Sequence, residues 1–419
     1  MQIALFIFYF ALSCIFFNYY QFQKNTGLSI QIILILFLIK VIGGVVNLYI
    51  HFYSIVNNDI GFFHWQAINE LKAMPQNPSS FFKEWLLNWG NFTDGFNPNS
   101  PNFIPHWKDI GVLLHTKYMT FANILSLGNQ YVNVIIYEVP FFIGQLLLYK
   151  FFYQKFPYKK WLFVLVVFLI PSVVFWCSGI HKDGWVLCAF GVIFYHLNLY
   201  LQSKEKHHII YFSLGLLLLF IVRFFYFFSL MPLIILWIFI QHKKNKLIYI
   251  SLAFICSLLL FFNLQRMNPL LNPMNFVQKR QLEFLNNKGY SDMQTPILEN
   301  NFHSYISNFP TALNHIFIQP SYHKDASIKY KITFVDNIII LSLFIFFAFH
   351  FKRKNMVEVQ YFIVLLFALS MYIFIGYTIP NAGALVRYKS EFTILLLASL
   401  VALSEVKWLN EYLNKKEII

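Results

Sequence analysis

Residues 171–186 read PSVVFWCSGIHKDGWV, and the meaning of this stretch decides the fold. It joins two apolar runs, 161–178 and 184–201, each long enough to cross a bilayer. An uncharged run followed by His181-Lys182-Asp183-Gly184 and a second apolar run predicts a membrane hairpin. Its tip would carry a base, an ammonium and a carboxylate on consecutive residues. Solvated loop tips often hold such groups, so their meaning depends on where the other unusual polar residues of the chain fall.

Composition sets the class. Only 12% of the 419 residues are charged and 58% are hydrophobic, with a mean hydropathy of +0.56. A soluble domain carries about 25% charged residues, so the expected class is all-α: a polytopic transmembrane helical bundle forming one integral membrane domain over 1–419. The cysteines Cys14, Cys177, Cys188 and Cys256 lie in or at the ends of apolar runs. They read as small buried hydrophobes, with neither metal spacing nor a disulfide framework. Abundant Phe, Ile, Lys and Asn point to an AT-rich bacterial genome, and the location expected for such a polytopic chain is the bacterial inner membrane.

Outward from the hairpin, the chain alternates apolar runs and short basic loops. Runs at 2–20 and 28–51 precede a long polar stretch, 52–130, and a third run lies near 131–149. The first run lacks a basic n-region and an A-x-A-like cleavage site, so it reads as a retained helix. The 33-residue run 209–241 is too long for one helix and predicts two spans turning near Arg223. A run at 247–263, a second polar stretch, 264–332, and runs at 333–350, 357–378 and 391–406 complete the pattern. With the amino terminus outside, the short loops 21–27, 150–160, 202–208, 242–246 and 351–356 and the tail all fall on the cytoplasmic side. They hold about half of all Lys and Arg. About eleven spans with the carboxyl terminus inside satisfy this rule. The net charge of +14 then reports topology and not a nucleic-acid partner. Both long stretches become outer-face loops, and residues 79–92 predict an amphipathic helix in the first of them, lying in the membrane interface or packed on the outer domain.

Ionisable residues inside apolar runs are costly and are usually paired or functional. Lys40 lies about twelve residues into its run and Glu138 about seven into the next, counted from opposite sides, so both reach one depth. They are expected to form a structural ion pair. Asp59, His181, Lys182, Asp183, Arg223, Arg387 and Lys389 are expected at one level on the outer face. Cations there neutralise a phosphate leaving group, and a carboxylate deprotonates an incoming hydroxyl.

The Asp59-bearing loop, the PSVVFWCSGIHKDG stretch and the late GALVRYKSEF segment resemble the bacterial GT-C-type polytopic glycosyltransferases. They also resemble exopolysaccharide-polymerase-like membrane proteins. The resemblance covers most of the chain as a layout and rests on short motifs. It implies an acidic catalytic base early in the first outer loop, a position matched here by Asp59. It also implies a polyprenyl-phosphate-linked sugar as donor. Many members carry a paired acidic motif there, whereas this chain reads Asn57-Asn58-Asp59-Ile60.

The expected activity is therefore inverting glycosyl transfer onto a glycan or glycolipid acceptor in cell-surface polysaccharide synthesis. Asp59 serves as base, Arg223, Arg387 and Lys389 bind phosphate, and His181, Lys182 or Asp183 position the acceptor or the phosphate. No cofactor is expected, since the lipid-linked donor supplies the energy in place of ATP; no residue is assigned to a metal, and a divalent metal stays open as an alternative. An O-antigen-type polymerase or ligase would use arginines on a pyrophosphate and need no base. A transporter or lipid flippase would show broken helices at mid-membrane and an internal repeat. No Gly-rich phosphate loop, GxSxG or HExxH is present.

Overall fold

The computed structural model describes residues 2–54, 59–75, 78–79, 107–267, 272–286, 291–321, 328–352, 354–355, 358–406, 408–409 and 411–412. Among these the structure is all-α, with two isolated β-bridges, Asp292–Asn381 and Phe351–Ser404. Among the described residues, seven helical stretches are long and apolar enough to cross a membrane, the build of a polytopic membrane protein: Gln2–Tyr19, Ile30–His51, Gln130–Tyr153, Lys182–Ser203, Lys246–Leu264, Lys331–Phe349 and Val359–Thr378. Two shorter apolar helices, Lys206–Val222 and Phe224–Ile240, divide the 33-residue run at Arg223. The expected amphipathic helix at 79–92 lies almost wholly outside the described residues.

The chain divides into two compact units. The first comprises residues 1–155 and 174–228. It holds α1 (Gln2–Tyr19), α2 (Ile30–Ser54), α3 (Asp59–Ala73), α4 (Trp107–Ser126), α5 (Gln130–Tyr153), α8 (Lys182–Ser203) and α9 (Lys206–Val222). Asn129 caps α5, its side chain accepting from the Tyr131 and Val132 amides, as an N-cap residue should. α8 packs between α5 and α9, α1 and α2 pack on α5, and α3 pairs with α4. A buried cluster of Leu48, Ile60, Phe63, Met119, Tyr137, Phe141 and Ile180 joins α2, α3, α4 and α5 to the segment before α8.

The second unit comprises residues 156–173 and 229–419. It holds α6 (Lys160–Phe168), α11 (Lys246–Met267), α12 (Pro273–Asn286), α13 (Phe302–Phe317), α14 (Ile328–Phe349), α15 (Val359–Thr378) and α16 (Ala382–Leu403). α16 is central: every residue from Lys389 to Leu403 is buried. It packs on α15, α14 and α6. Lys159 secures its end by donating from Nζ to the Val401, Ala402 and Ser404 carbonyls at 2.9, 3.0 and 2.6 Å. These are the unpaired carbonyls and negative dipole end of a helix. α7 (Pro171–Trp176) and α10 (Phe224–Ile240) run across the boundaries between units.

Two expectations change here. The run 161–178 is not one span: α6 ends at Phe168 and α7 begins at Pro171, because proline disfavours helix in the residue before it. The stretch 379–390, left between the apolar runs 357–378 and 391–406, is mostly helix, because α16 starts at Ala382, capped by Asn381 accepting from the Ala384 amide at 3.1 Å.

Candidate functional site

The non-helical turn 177–181 rests on a polar face of α2. Lys40, Gly43, Gly44, Asn47 and His51 follow one another at helical spacing, so one side of an otherwise apolar helix carries an ammonium, two missing side chains, an amide and an imidazole. Lys40 Nζ donates to the Cys177 carbonyl at 2.5 Å and to Ser178 Oγ at 3.0 Å. Asn47 Nδ2 donates to the Phe175 carbonyl at 2.9 Å, and Asn47 Oδ1 lies 2.7 Å from His181 Nε2. Since an amide oxygen only accepts, this assigns the proton to Nε2. On α5, Glu138 accepts from the Gly179 amide, and its Oε2 lies 3.6 Å from Lys40 Nζ. Gly179 adopts φ +73° and meets Gly44 so closely that a Cβ on Gly44 would stand 2.8 Å from the Gly179 nitrogen. Exposed turn backbone is not tolerated in hydrocarbon. Lys40, Asn47 and Glu138 supply the partners that water would otherwise provide.

The expected solvated tip is therefore a buried corner. His181 is 3% exposed and Asp183 is fully buried. His181 packs edge-on against His51 and lies near Trp176. It serves the turn, and this burial does not fit the acceptor- or phosphate-positioning role expected from its tip position. Asp183, in the first turn of α8, receives a hydrogen bond from Arg223 Nη2 at 3.0 Å. Arg223 stands at the break between α9 and α10, so one ion pair holds the beginning of α8 to the end of α9.

Lys182 has its ammonium 4.8 Å from the centre of the Phe63 ring, within cation–π range. Phe63 is one turn beyond Asp59 on α3. Asp59 is the first residue of that helix, and its side chain is outside the described set. Further along α3, Trp65, Gln66, Asn69 and Glu70 line an open cavity of about 260 Å³ together with Val112, Leu113 and Thr116 of α4, and Thr116 Oγ1 donates to Gln66 Oε1 at 3.2 Å. Glu70 accepts from Lys117 Nζ at 2.6 Å and from Thr120 Oγ1 at 2.7 Å, which fixes the carboxylate. The lining is mainly apolar, with the Trp65 indole offering a ring face and the Asn69 and Gln66 amides the polar edge.

Arg387 and Lys389 belong to the second unit. Lys389 is 3% exposed and donates from Nζ to the Ile316 carbonyl and to Asn337 Oδ1, each at 2.9 Å. Its expected role as an outer-face phosphate ligand does not fit this burial, since the ammonium is already satisfied within the fold. Arg387 sits half-buried on α16. Asn47, Ser178 and the Trp65–Glu70 groove escaped the sequence reading. The Lys40-x-x-Gly-Gly-x-x-Asn47 spacing was the available signal. Compared with protein-family models, curated proteins and solved structures, this chain matches none.

Proposed function

We propose that this protein is an inverting glycosyltransferase of GT-C type, acting at the outer face of a bacterial inner membrane on a polyprenyl-phosphate-linked sugar. The observation that carries this reading is the Lys182 ammonium over Phe63, one turn from Asp59. It brings a cation near the start of α3, where a base and a phosphate would have to meet. In this scheme Asp59 accepts the proton of the attacking hydroxyl as the acceptor oxygen displaces phosphate from the anomeric carbon. Lys182 neutralises the departing phosphate, while Arg223 is held by the buried Asp183 carboxylate. The groove of Trp65, Gln66, Asn69 and Glu70 holds a sugar ring. Arg387, which belongs to the second unit, is given no part in this scheme, whereas His181 and Asp183 position the scaffold of the first unit and Lys389 that of the second.

The test is complementation of surface polysaccharide in a deletion strain by Asp59→Asn and Lys182→Ala, with membrane levels of each variant measured. Loss of polymer with both at normal levels supports base-assisted transfer. An active Asp59→Asn beside an inactive Lys182→Ala sinks it in favour of a base-independent polymerase or ligase. Full activity of both sinks the catalytic reading altogether.

A further inference from the structure

The turn between α8 and α9 gathers four metal-ligating side chains that play no part in the proposed reaction. Lys204 adopts the left-handed conformation, φ +61°, and closes α8 by donating its amide to the Tyr200 carbonyl. The chain reverses there, and the first turn of α9 folds back beside the last two turns of α8. His196 of α8 consequently meets His208 of α9, with their Nδ1 atoms 3.0 Å apart. Glu205 Oε2 lies 3.3 Å from His207 Nδ1, and the His207 and His208 ring centres are 3.9 Å apart. Donor atoms of Glu205, His207 and His208 all fall within 4.8 Å of one another.

The geometry points to a binding site for a divalent transition-metal cation of the zinc type, formed by Glu205, His207 and His208, with His196, beside His208, as the candidate fourth donor. Two nitrogens on one tetrahedral zinc, each about 2.0–2.1 Å from the ion, stand about 3.3 Å apart. The His196–His208 and Glu205–His207 separations already approach that value. Two imidazole nitrogens at 3.0 Å repel unless a proton or a cation lies between them. A cation there engages both, and a carboxylate beside it offsets its charge. Imidazole with one carboxylate suits zinc, copper or nickel better than magnesium or calcium. Glu205 and His207 are more than half exposed, so an ion reaches the site from solvent. The site lies at the opposite end of the α8–α9 hairpin from the Asp183–Arg223 pair. Metal binding there would fasten the second end of the hairpin.

The test uses the full chain in detergent, purified through a tag without histidines and stripped with a chelator. Zinc content after equilibration with Zn²⁺ against a competing chromogenic chelator is measured by mass spectrometry, and thermal unfolding is followed with and without Zn²⁺. The expected result is one ion per chain and a rise in the unfolding midpoint. In His207→Ala/His208→Ala both should be lost, whereas in His242→Ala both should be kept. If the double variant does not accumulate, His207→Gln alone decides, with affinity expected to fall at least about 10-fold, the low end of what even outer-shell changes cause at metal sites. A wild type that retains no zinc, meaning that the two histidines only share a proton, would overturn the proposal. Retention unaffected by the cluster substitutions would overturn it equally.

Discussion

Arg223 and Asp183 are forty residues apart in sequence and 3.0 Å apart in space, and between them they close the open end of the α8–α9 hairpin. Asp183 is fully buried and Arg223 nearly so. Removing one partner leaves a buried charge without its counterion. Arg223→Gln or Asp183→Asn alone should therefore cost about 3–5 kcal/mol, whereas the double variant should recover much of the loss. Thermal unfolding of the four proteins in detergent provides the cycle. Additive losses would show that the pair is not coupled.

Lys40 and Glu138 form a second pair, but their environments differ. Lys40 also holds the Cys177 carbonyl and Ser178, and Glu138 holds the Gly179 amide. Each single substitution, Lys40→Met or Glu138→Gln, breaks turn contacts as well as the ion pair. The double variant is thus expected to stay well below wild type, with a deficit of at least about 2 kcal/mol for the hydrogen bonds to charged groups. Recovery to wild-type unfolding would mean that the turn does not need these anchors.

The Gly44–Gly179 contact leaves no room for a methyl group. Gly44→Ala should destabilise the first unit by about 1–3 kcal/mol through overpacking. Gly179→Ala adds the strain of a left-handed backbone, about 1–2 kcal/mol. Protease susceptibility near residues 177–181 should rise in both variants, and unaltered cleavage would contradict the packing described.

His64 gives a pH dependence. Burial holds its imidazole below the ordinary value of 6.5, and its Nδ1 faces Gln130 at the start of α5. With the folded value depressed, the unfolded chain takes up the proton first. Stability from this group is complete above about pH 6.5 and falls as the pH drops below it. Unfolding midpoints measured from pH 7.5 to 5 should decline more steeply for wild type than for His64→Gln, and parallel curves would refute the assignment.

Much of this architecture was legible because bilayer spans announce themselves in composition. The break at Arg223 followed from arithmetic alone, since 33 apolar residues exceed one bilayer crossing. Counting from the ends of their runs put Lys40 and Glu138 at one depth, and they lie 3.6 Å apart. Residues 161–178 misled because hydropathy sums side chains and is blind to the backbone, whereas Pro171 acts on the backbone. The burial of His181 and Asp183 was illegible for another reason. Their partners, Asn47 and Arg223, lie 134 and 40 positions away, and nothing local distinguishes a buried His-Lys-Asp from a wet one. The Glu205–His207–His208 group read as one more basic loop because its fourth member, His196, comes from the preceding helix.

The grip of Lys159 on the last turn of α16 also sets a schedule for biosynthesis. Its three acceptors lie 242 to 245 residues downstream, a gap that takes roughly 10–50 s to translate at about 5–20 residues per second. Residues 156–173 therefore leave the ribosome long before the rest of their unit exists. The chain cannot assemble as a simple N-to-C succession of helices. An early segment must be held by lipid or by the insertion machinery until α16 arrives, so a chain truncated before residue 401 would be left without the acceptors that Lys159 requires.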